Sequence, residues 1–160
     1  NRGHAYVNND GIDNYTNTDI YDSVIANNTA ANGGGMYVRI NFTSNNVSFI
    51  NNTATKYGGG MYVTTSGATI SNINMTGNKA YAGSAIYLSN KATLTNMYLI
   101  ENQATSHSLQ YSVKFASTKR VDVTFKGMDN LLNAIYQNAK FNLTVKNVTI
   151  IQRLKIIKEI

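Results

Sequence analysis

The chain has 160 residues, with no cysteine, no proline and only 14% charged side chains. Without cysteine there is no disulfide framework, thiolate zinc site, iron–sulfur cluster or cysteine nucleophile. Two histidines, His4 and His107, leave little for metal or acid–base chemistry. No apolar run approaches the roughly 18 residues of a membrane span, so no direct span is expected in this fragment. Neither an initiating Met nor a basic and apolar leader opens the sequence, which reads as a piece of a longer precursor. Residues 23–100 contain no Asp or Glu at all. Proline would remove a ladder N–H at almost any strand position, so its absence suits a sheet protein.

Polarity comes instead from 24 Asn and 17 Thr, set against a 42% hydrophobic content. Regularly placed Tyr, Ile, Val and Met argue for a packed core and against disorder. The net charge of +6 is one-sided. Residues 1–113 carry five basic and five acidic side chains, whereas 114–160 carry nine and three. Such an end can meet an acidic polymer or nucleic acid. Its Lys and Arg are scattered, without a nucleic-acid module, so it reads as a solvated flank and nucleic acid is not an expected partner.

The sequence repeats. Gly33-Gly34-Gly35-Met36-Tyr37-Val38, Gly58-Gly59-Gly60-Met61-Tyr62-Val63 and Gly83-Ser84-Ala85-Ile86-Tyr87-Leu88 follow one another at a step of 25 residues. Weaker copies around Tyr6, Tyr111 and Tyr136 extend the series, with an extra loop in residues 8–22 absorbing the longer first spacing. A second register precedes each Gly run: Asn28-Thr29-Ala30, Asn52-Thr53-Ala54, Asn78-Lys79-Ala80 and Asn102-Gln103-Ala104. Three residues before each Asn sits Ile25, Phe49, Met75 or Leu99. Two separate registers held through four turns are a specific signal of a repeat architecture.

A 25-residue helical unit would need long amphipathic stretches with apolar residues at i, i+3 and i+4. The segments are instead short, alternating and rich in Thr, Val, Ile and Tyr, which is strand chemistry. Three short strands and three turns fit the unit, and winding it predicts an all-β parallel β-helix of five to six coils, each about 4.8 Å above the last. Met36/Val38, Met61/Val63 and Ile86/Leu88 then face inward, and Tyr37, Tyr62, Tyr87 and Tyr111 form an outward strip. Gly34–Gly35 and Gly59–Gly60 are expected to supply a tight bend or positive φ. Asn28, Asn52, Asn78 and Asn102 form a structural ladder, in which a turn residue tolerant of αL also bonds its neighbour one coil away. The whole of 1–160 is read as one β-helix domain. It comprises an opening coil with a loop (1–22), regular coils (23–111), divergent coils (112–150) and an irregular tail (151–160), helix or edge strand.

The apolar-x-x-Asn-x-Ala and Gly-Gly-x-Ile/Met units resemble the repeat of chlamydial polymorphic outer-membrane proteins. The sequence is more similar to the large adhesin-like surface proteins of methanogenic archaea. That likeness rests on Asn51-Asn52-Thr53-Ala54 with Gly58-Gly59-Gly60-Met61-Tyr62, on the run from Val123 to Tyr136, and on Val145-Lys146-Asn147-Val148-Thr149. It spans roughly residues 23–150. The resemblance implies a right-handed β-helix in a secreted, surface-exposed protein with adhesive function.

Chemistry is sparse. Many parallel β-helices are polysaccharide lyases or hydrolases. Those reactions need clustered carboxylates for Ca²⁺, a basic group near the sugar, or two carboxylates across the scissile bond. The only acidic cluster is Asp10, Asp13, Asp19 and Asp22, which lacks an EF-hand pattern and reads as a polar loop. His107 has no regularly placed acid, and the Gly runs lack the Gly-Lys-Ser/Thr of a phosphate loop. No catalytic residue, metal or cofactor is therefore expected. Tyr37, Tyr62, Tyr87 and Tyr111 are the candidate ligand-binding residues, since exposed Tyr stacks on sugars, although stacked Tyr also strengthens a sheet by itself. Eight Asn-x-Ser/Thr acceptors fit an extracellular setting.

The expected function is a non-catalytic cell-surface adhesin or stalk module. Its expected partners are glycans or proteins on another cell and neighbouring repeats of the same precursor. A polysaccharide-degrading enzyme with its active residues outside this fragment, and a purely structural envelope repeat, are the alternatives.

Overall fold

The computed structural model describes residues 12–14, 18–105, 111–115, 119–129, 134–151 and 153–157. The described residues contain no α-helix, and parallel strands wind into a stack of coils. The first coil comprises β1 (Ile12–Asn14), β2 (Thr18–Ala26) and β3 (Thr29–Asn32). The second comprises β4 (Met36–Val38), β5 (Phe42–Ile50) and β6 (Thr53–Tyr57). The third comprises β7 (Met61–Val63), β8 (Ala68–Thr76) and β9 (Lys79–Ala80), and the fourth β10 (Ile86–Leu88), β11 (Ala92–Ile100) and β12 (Gln103–Ala104). Each strand pairs in parallel with its counterpart one coil away, so equivalent residues stack: Met36 on Met61 on Ile86, and Ala68 on Ala92.

Stacking explains why identities repeat. Met36, Met61, Ile86 and Ile135 form one fully buried column, and Val47, Ile73, Met97 and Val148 form another. Ile25, Phe49, Met75 and Leu99 form a third. These columns pack side by side into one buried core. Each such side chain contributes about 1.5–3 kcal/mol by leaving water, and each is held by the one above and the one below.

The nine-residue strands turn a corner in their middle. In β5 the burial alternates at Phe42 and Ser44, then resumes out of phase at Val47 and Phe49. Two consecutive exposed residues, Asn45 and Asn46, mark the break. Asn46 has φ of 53°, and Asp22, Asn72, Asn96 and Asn147 sit at equivalent places with φ between 48° and 58°. Asn and Asp enter this left-handed region at least cost after Gly, so one such residue bends the strand without ending it.

The glycine runs work differently from expectation. The left-handed residue is the first of each run: Gly33, Gly58 and Gly83 have φ of 67°, 70° and 62°. The following positions are small because coils touch there. A Cβ on Gly34 would lie 2.5 Å from the carbonyl oxygens of both Gly59 and Thr53.

The C-terminal part departs from the repeat. The step of 25 residues predicted Tyr111 as the next rung. Tyr111 instead lies in β13 (Tyr111–Phe115), which pairs antiparallel with β16 (Arg153–Ile157). The rung above Tyr87 is Tyr136, in the 17-residue β15 (Ile135–Ile151), which covers β10 and then β11. The position two residues before the Tyr must be small, since a Cβ on Gly35 would already lie 2.6 Å from the Gly60 carbonyl oxygen. Ala134 meets that demand before Tyr136, whereas the sequence offers Leu109 before Tyr111. β14 (Lys119–Asp129) then pairs antiparallel along β15 and occupies its outer edge. Among the described residues the stack thus has about four coils, capped by β15, fewer than the five to six expected. The undecided tail forms the edge strand β16. At the other end the rung below Tyr37 is Asp13, which accounts for the long first spacing; Tyr6 lies outside the described residues.

Candidate functional site

The buried asparagines are the most tightly specified polar groups in the coils. Asn28, Asn52, Asn78 and Asn102 are at most 2% exposed. Each outer oxygen accepts twice from the coil before: Asn78 Oδ1 receives the Asn52 backbone N–H and Nδ2, both at 3.0 Å. Asn52 Oδ1 receives the same pair from Asn28 at 3.1 Å, and Asn102 Oδ1 from Asn78 at 2.9 Å. The second Nδ2 hydrogen runs to the carbonyl of the apolar residue one coil back. Asn52 donates to Ile25 at 2.9 Å, Asn78 to Phe49 at 3.0 Å and Asn102 to Met75 at 3.1 Å. This closes the apolar-x-x-Asn spacing into a hydrogen-bonded unit. The αL role expected of these Asn falls one residue earlier, on Asn27, Asn51, Gly77 and Glu101. The ladder is saturated and inward, so it is structural and presents nothing to a ligand.

A second ladder, not anticipated from sequence, runs along the exposed corner. Asn46 Nδ2 donates to Asp22 Oδ1 at 2.9 Å, Asn96 to Asn72 Oδ1 at 3.3 Å and Asn147 to Asn96 Oδ1 at 2.8 Å. Its signal in the sequence is the pair of consecutive polar residues that interrupts each alternating strand.

The tyrosine strip exists, with Tyr136 in place of Tyr111. Tyr37, Tyr62, Tyr87 and Tyr136 are half-buried on the outer side of β4, β7, β10 and β15. Their ring centroids are 4.9, 5.2 and 4.6 Å apart along the column. Tyr57, at the end of β6, stacks on Tyr87 at 4.5 Å and lies 6.4 Å from Tyr62. The Arg39 guanidinium sits 4.3 Å from the ring centre of Tyr37. Ring faces are therefore occupied by other tyrosines or by Arg39, and the strip offers edges and hydroxyls outward. Burial, then the neighbouring Tyr136, Tyr57 and Tyr62 hydroxyls, push the Tyr87 phenol up to about 12.

Among the described residues two further tyrosines are the most exposed large aromatics, Tyr81 at 53% and Tyr98 at 52%. Tyr81 lies 6.5 Å from Tyr57. Tyr98 belongs to no aromatic pair among the described residues and stands on the outward side of β11. Its outlying position, off every Tyr period, hid it from the repeat analysis. Among the described residues no three His, Cys, Asp or Glu side chains come together as a metal site. Of the acidic cluster, Asp22 is engaged by Asn46, while Asp10 and His107 lie outside the described residues.

No family model, curated protein or solved structure matches the chain. Among the described residues there is no helix long and apolar enough to cross a membrane.

Proposed function

We propose that the protein is a non-catalytic module of an extracellular or cell-surface adhesin or stalk, one that contacts glycans or partner surfaces through its outward ladders. The observation that carries this reading is the tyrosine column Tyr37–Tyr62–Tyr87–Tyr136. It is a row of phenol edges repeated at the coil spacing, on coils that hold no acidic side chain from 23 to 100. Sugar cleavage needs positioned groups that move protons. Hydroxyls, amides and ring edges in rows suit weak contacts that add up along an extended surface. The likeness to surface adhesins of methanogenic archaea points the same way.

One observation favours a purely structural envelope repeat instead: the Tyr rings are packed against each other, which reinforces the sheet without any ligand. Retention of the domain on a panel of immobilised polysaccharides separates the two. The adhesive reading expects retention that weakens in the Tyr37→Ser/Tyr62→Ser/Tyr87→Ser variant or on changing another outward row. Absence of retention on every polysaccharide would leave the structural reading.

A further inference from the structure

Tyr37, Tyr57, Tyr62, Tyr81, Tyr87 and Tyr136 join in one cluster of ring contacts. Tyr87 is its hub, with ring centroids 4.5 Å from Tyr57, 5.2 Å from Tyr62 and 4.6 Å from Tyr136. Of these three pairs the Tyr87 and Tyr136 rings are the most nearly parallel, at 15°. They stand directly opposite each other on the neighbouring strands β10 and β15 and so share a face of the sheet. The Tyr87 hydroxyl is turned to that of Tyr136 and hydrogen-bonds with it. The ring carbons that flank the two hydroxyls are thereby neighbours.

Composition makes these phenols the natural site of one-electron oxidation. The chain has no cysteine and no tryptophan. Met36, Met61, Met75 and Met97 are fully buried, and sulfur oxidation follows exposure. Tyr98 is exposed, but among the described residues it has no ring beside it to couple with. Tyr81, 53% exposed, is the outer member of the cluster. It lies 6.5 Å from Tyr57, which lies 4.5 Å from Tyr87. These rings make an unbroken path from solvent to the Tyr87–Tyr136 pair.

We propose that the Tyr87–Tyr136 pair is a site of oxidative cross-linking, at which a haem peroxidase with hydrogen peroxide joins the two rings by a carbon–carbon bond. The inference stands whether or not the outward rows bind a glycan. Each phenol gives one electron and one proton to the oxidant, and the electrons are drawn out through Tyr57 and Tyr81. The two phenoxyl radicals couple at carbons next to their oxygens. The hydrogens on those carbons then move to the oxygens and restore both phenols. Two hydrogens leave the protein in all, and one hydrogen peroxide becomes two waters. The bond ties β10 of the fourth coil to β15, which caps the stack. It closes a loop of about 50 residues, which restricts the unfolded chain as a disulfide would in a protein that has cysteine.

The test treats the dilute whole chain with a haem peroxidase and hydrogen peroxide, then reads dityrosine fluorescence, intact mass and linked peptides. The site predicts a monomer lighter by two hydrogens, whose principal linked peptides join Tyr87 to Tyr136. Its thermal midpoint should rise by about 10 °C, as for a loop of this length closed in a chain of this size. Tyr136→Phe keeps a ring in the stack and should abolish that product. Tyr81→Phe should slow the reaction severalfold, because the path to solvent is cut, while Tyr98→Phe should leave the rate unchanged. Unchanged circular dichroism of each variant confirms the fold. Absence of dityrosine, products that are only dimers, linkage mapped to other tyrosines, or a full yield from Tyr136→Phe would each overturn the site. An unchanged rate in Tyr81→Phe would overturn the path that feeds it. A linked chain that melts with the unlinked one would overturn its role as a staple.

Discussion

Asn52 Nδ2 donates to Asn78 Oδ1 at 3.0 Å, and the backbone N–H of Asn52 converges on the same oxygen. One side-chain oxygen thus satisfies two buried donors from the neighbouring coil, and the same amide caps the carbonyl of Ile25. Asn52→Leu would leave the Asn28 amide and backbone N–H and the Ile25 carbonyl without partners. At about 1–3 kcal/mol for each orphaned buried group, the loss should reach about 3 kcal/mol or more in a chemical-denaturation measurement. Asn51→Leu should cost less, about 1–2 kcal/mol, because it strains an exposed αL position without orphaning a buried group. Equal losses would contradict the ladder's role.

Met61 is fully buried between Met36 and Ile86, whereas Tyr62 beside it is half-exposed. Met61→Asp places an unpaired charge in the column and should cost several kcal/mol or abolish folding. Tyr62→Ser should cost about 1 kcal/mol through lost ring packing. Denaturant midpoints of the two variants check the facing, and a larger effect at Tyr62 would invert it.

Gly34 and Gly67 separate crowding from backbone freedom. An added Cβ at Gly34 meets two carbonyl oxygens at 2.5 Å, while at Gly67, with φ of 74°, it meets nothing within 4 Å. Gly34→Ala should therefore cost about 3 kcal/mol from forced coil separation, and Gly67→Ala only about 1 kcal/mol from αL strain. Thermal midpoints should fall in that order.

The Tyr column gives a pH signature. A phenol held up to about 12 in the folded chain keeps its proton where the unfolded chain, near 10, has lost it. Between those values the unfolded state binds fewer protons, so stability declines with rising pH. The contribution is intact below pH 10 and is lost progressively toward pH 12. Melting temperature against pH should fall in that window, and Tyr87→Phe should flatten part of the fall. An identical slope in the variant would remove Tyr87 as its source.

The repeat was legible because a parallel stack demands the same residue at the same place in every coil. Gly59, Met61 and Asn52 each answer to a contact with their counterpart one coil away. Tyr111 shows where spacing alone misleads. It keeps the period, but Leu109 is too large for the crowded position that Ala134 fills two residues before Tyr136. The Asp22–Asn46–Asn72–Asn96–Asn147 corner escaped notice because its residues are polar, mostly exposed and set within strands, where a left-handed residue leaves only a shift in the hydrophobic phase.

The account's central claim is contact with polysaccharide without cleavage, and light-scattering chromatography of each member of a panel of neutral and acidic polysaccharides, before and after overnight incubation with the protein, tests it most directly. The account predicts at least one glycan peak that moves to higher mass with bound protein and returns to its original chain length once the protein is stripped with salt. A shortened glycan would show turnover, and peaks unshifted across the panel would show no contact; either result contradicts the account.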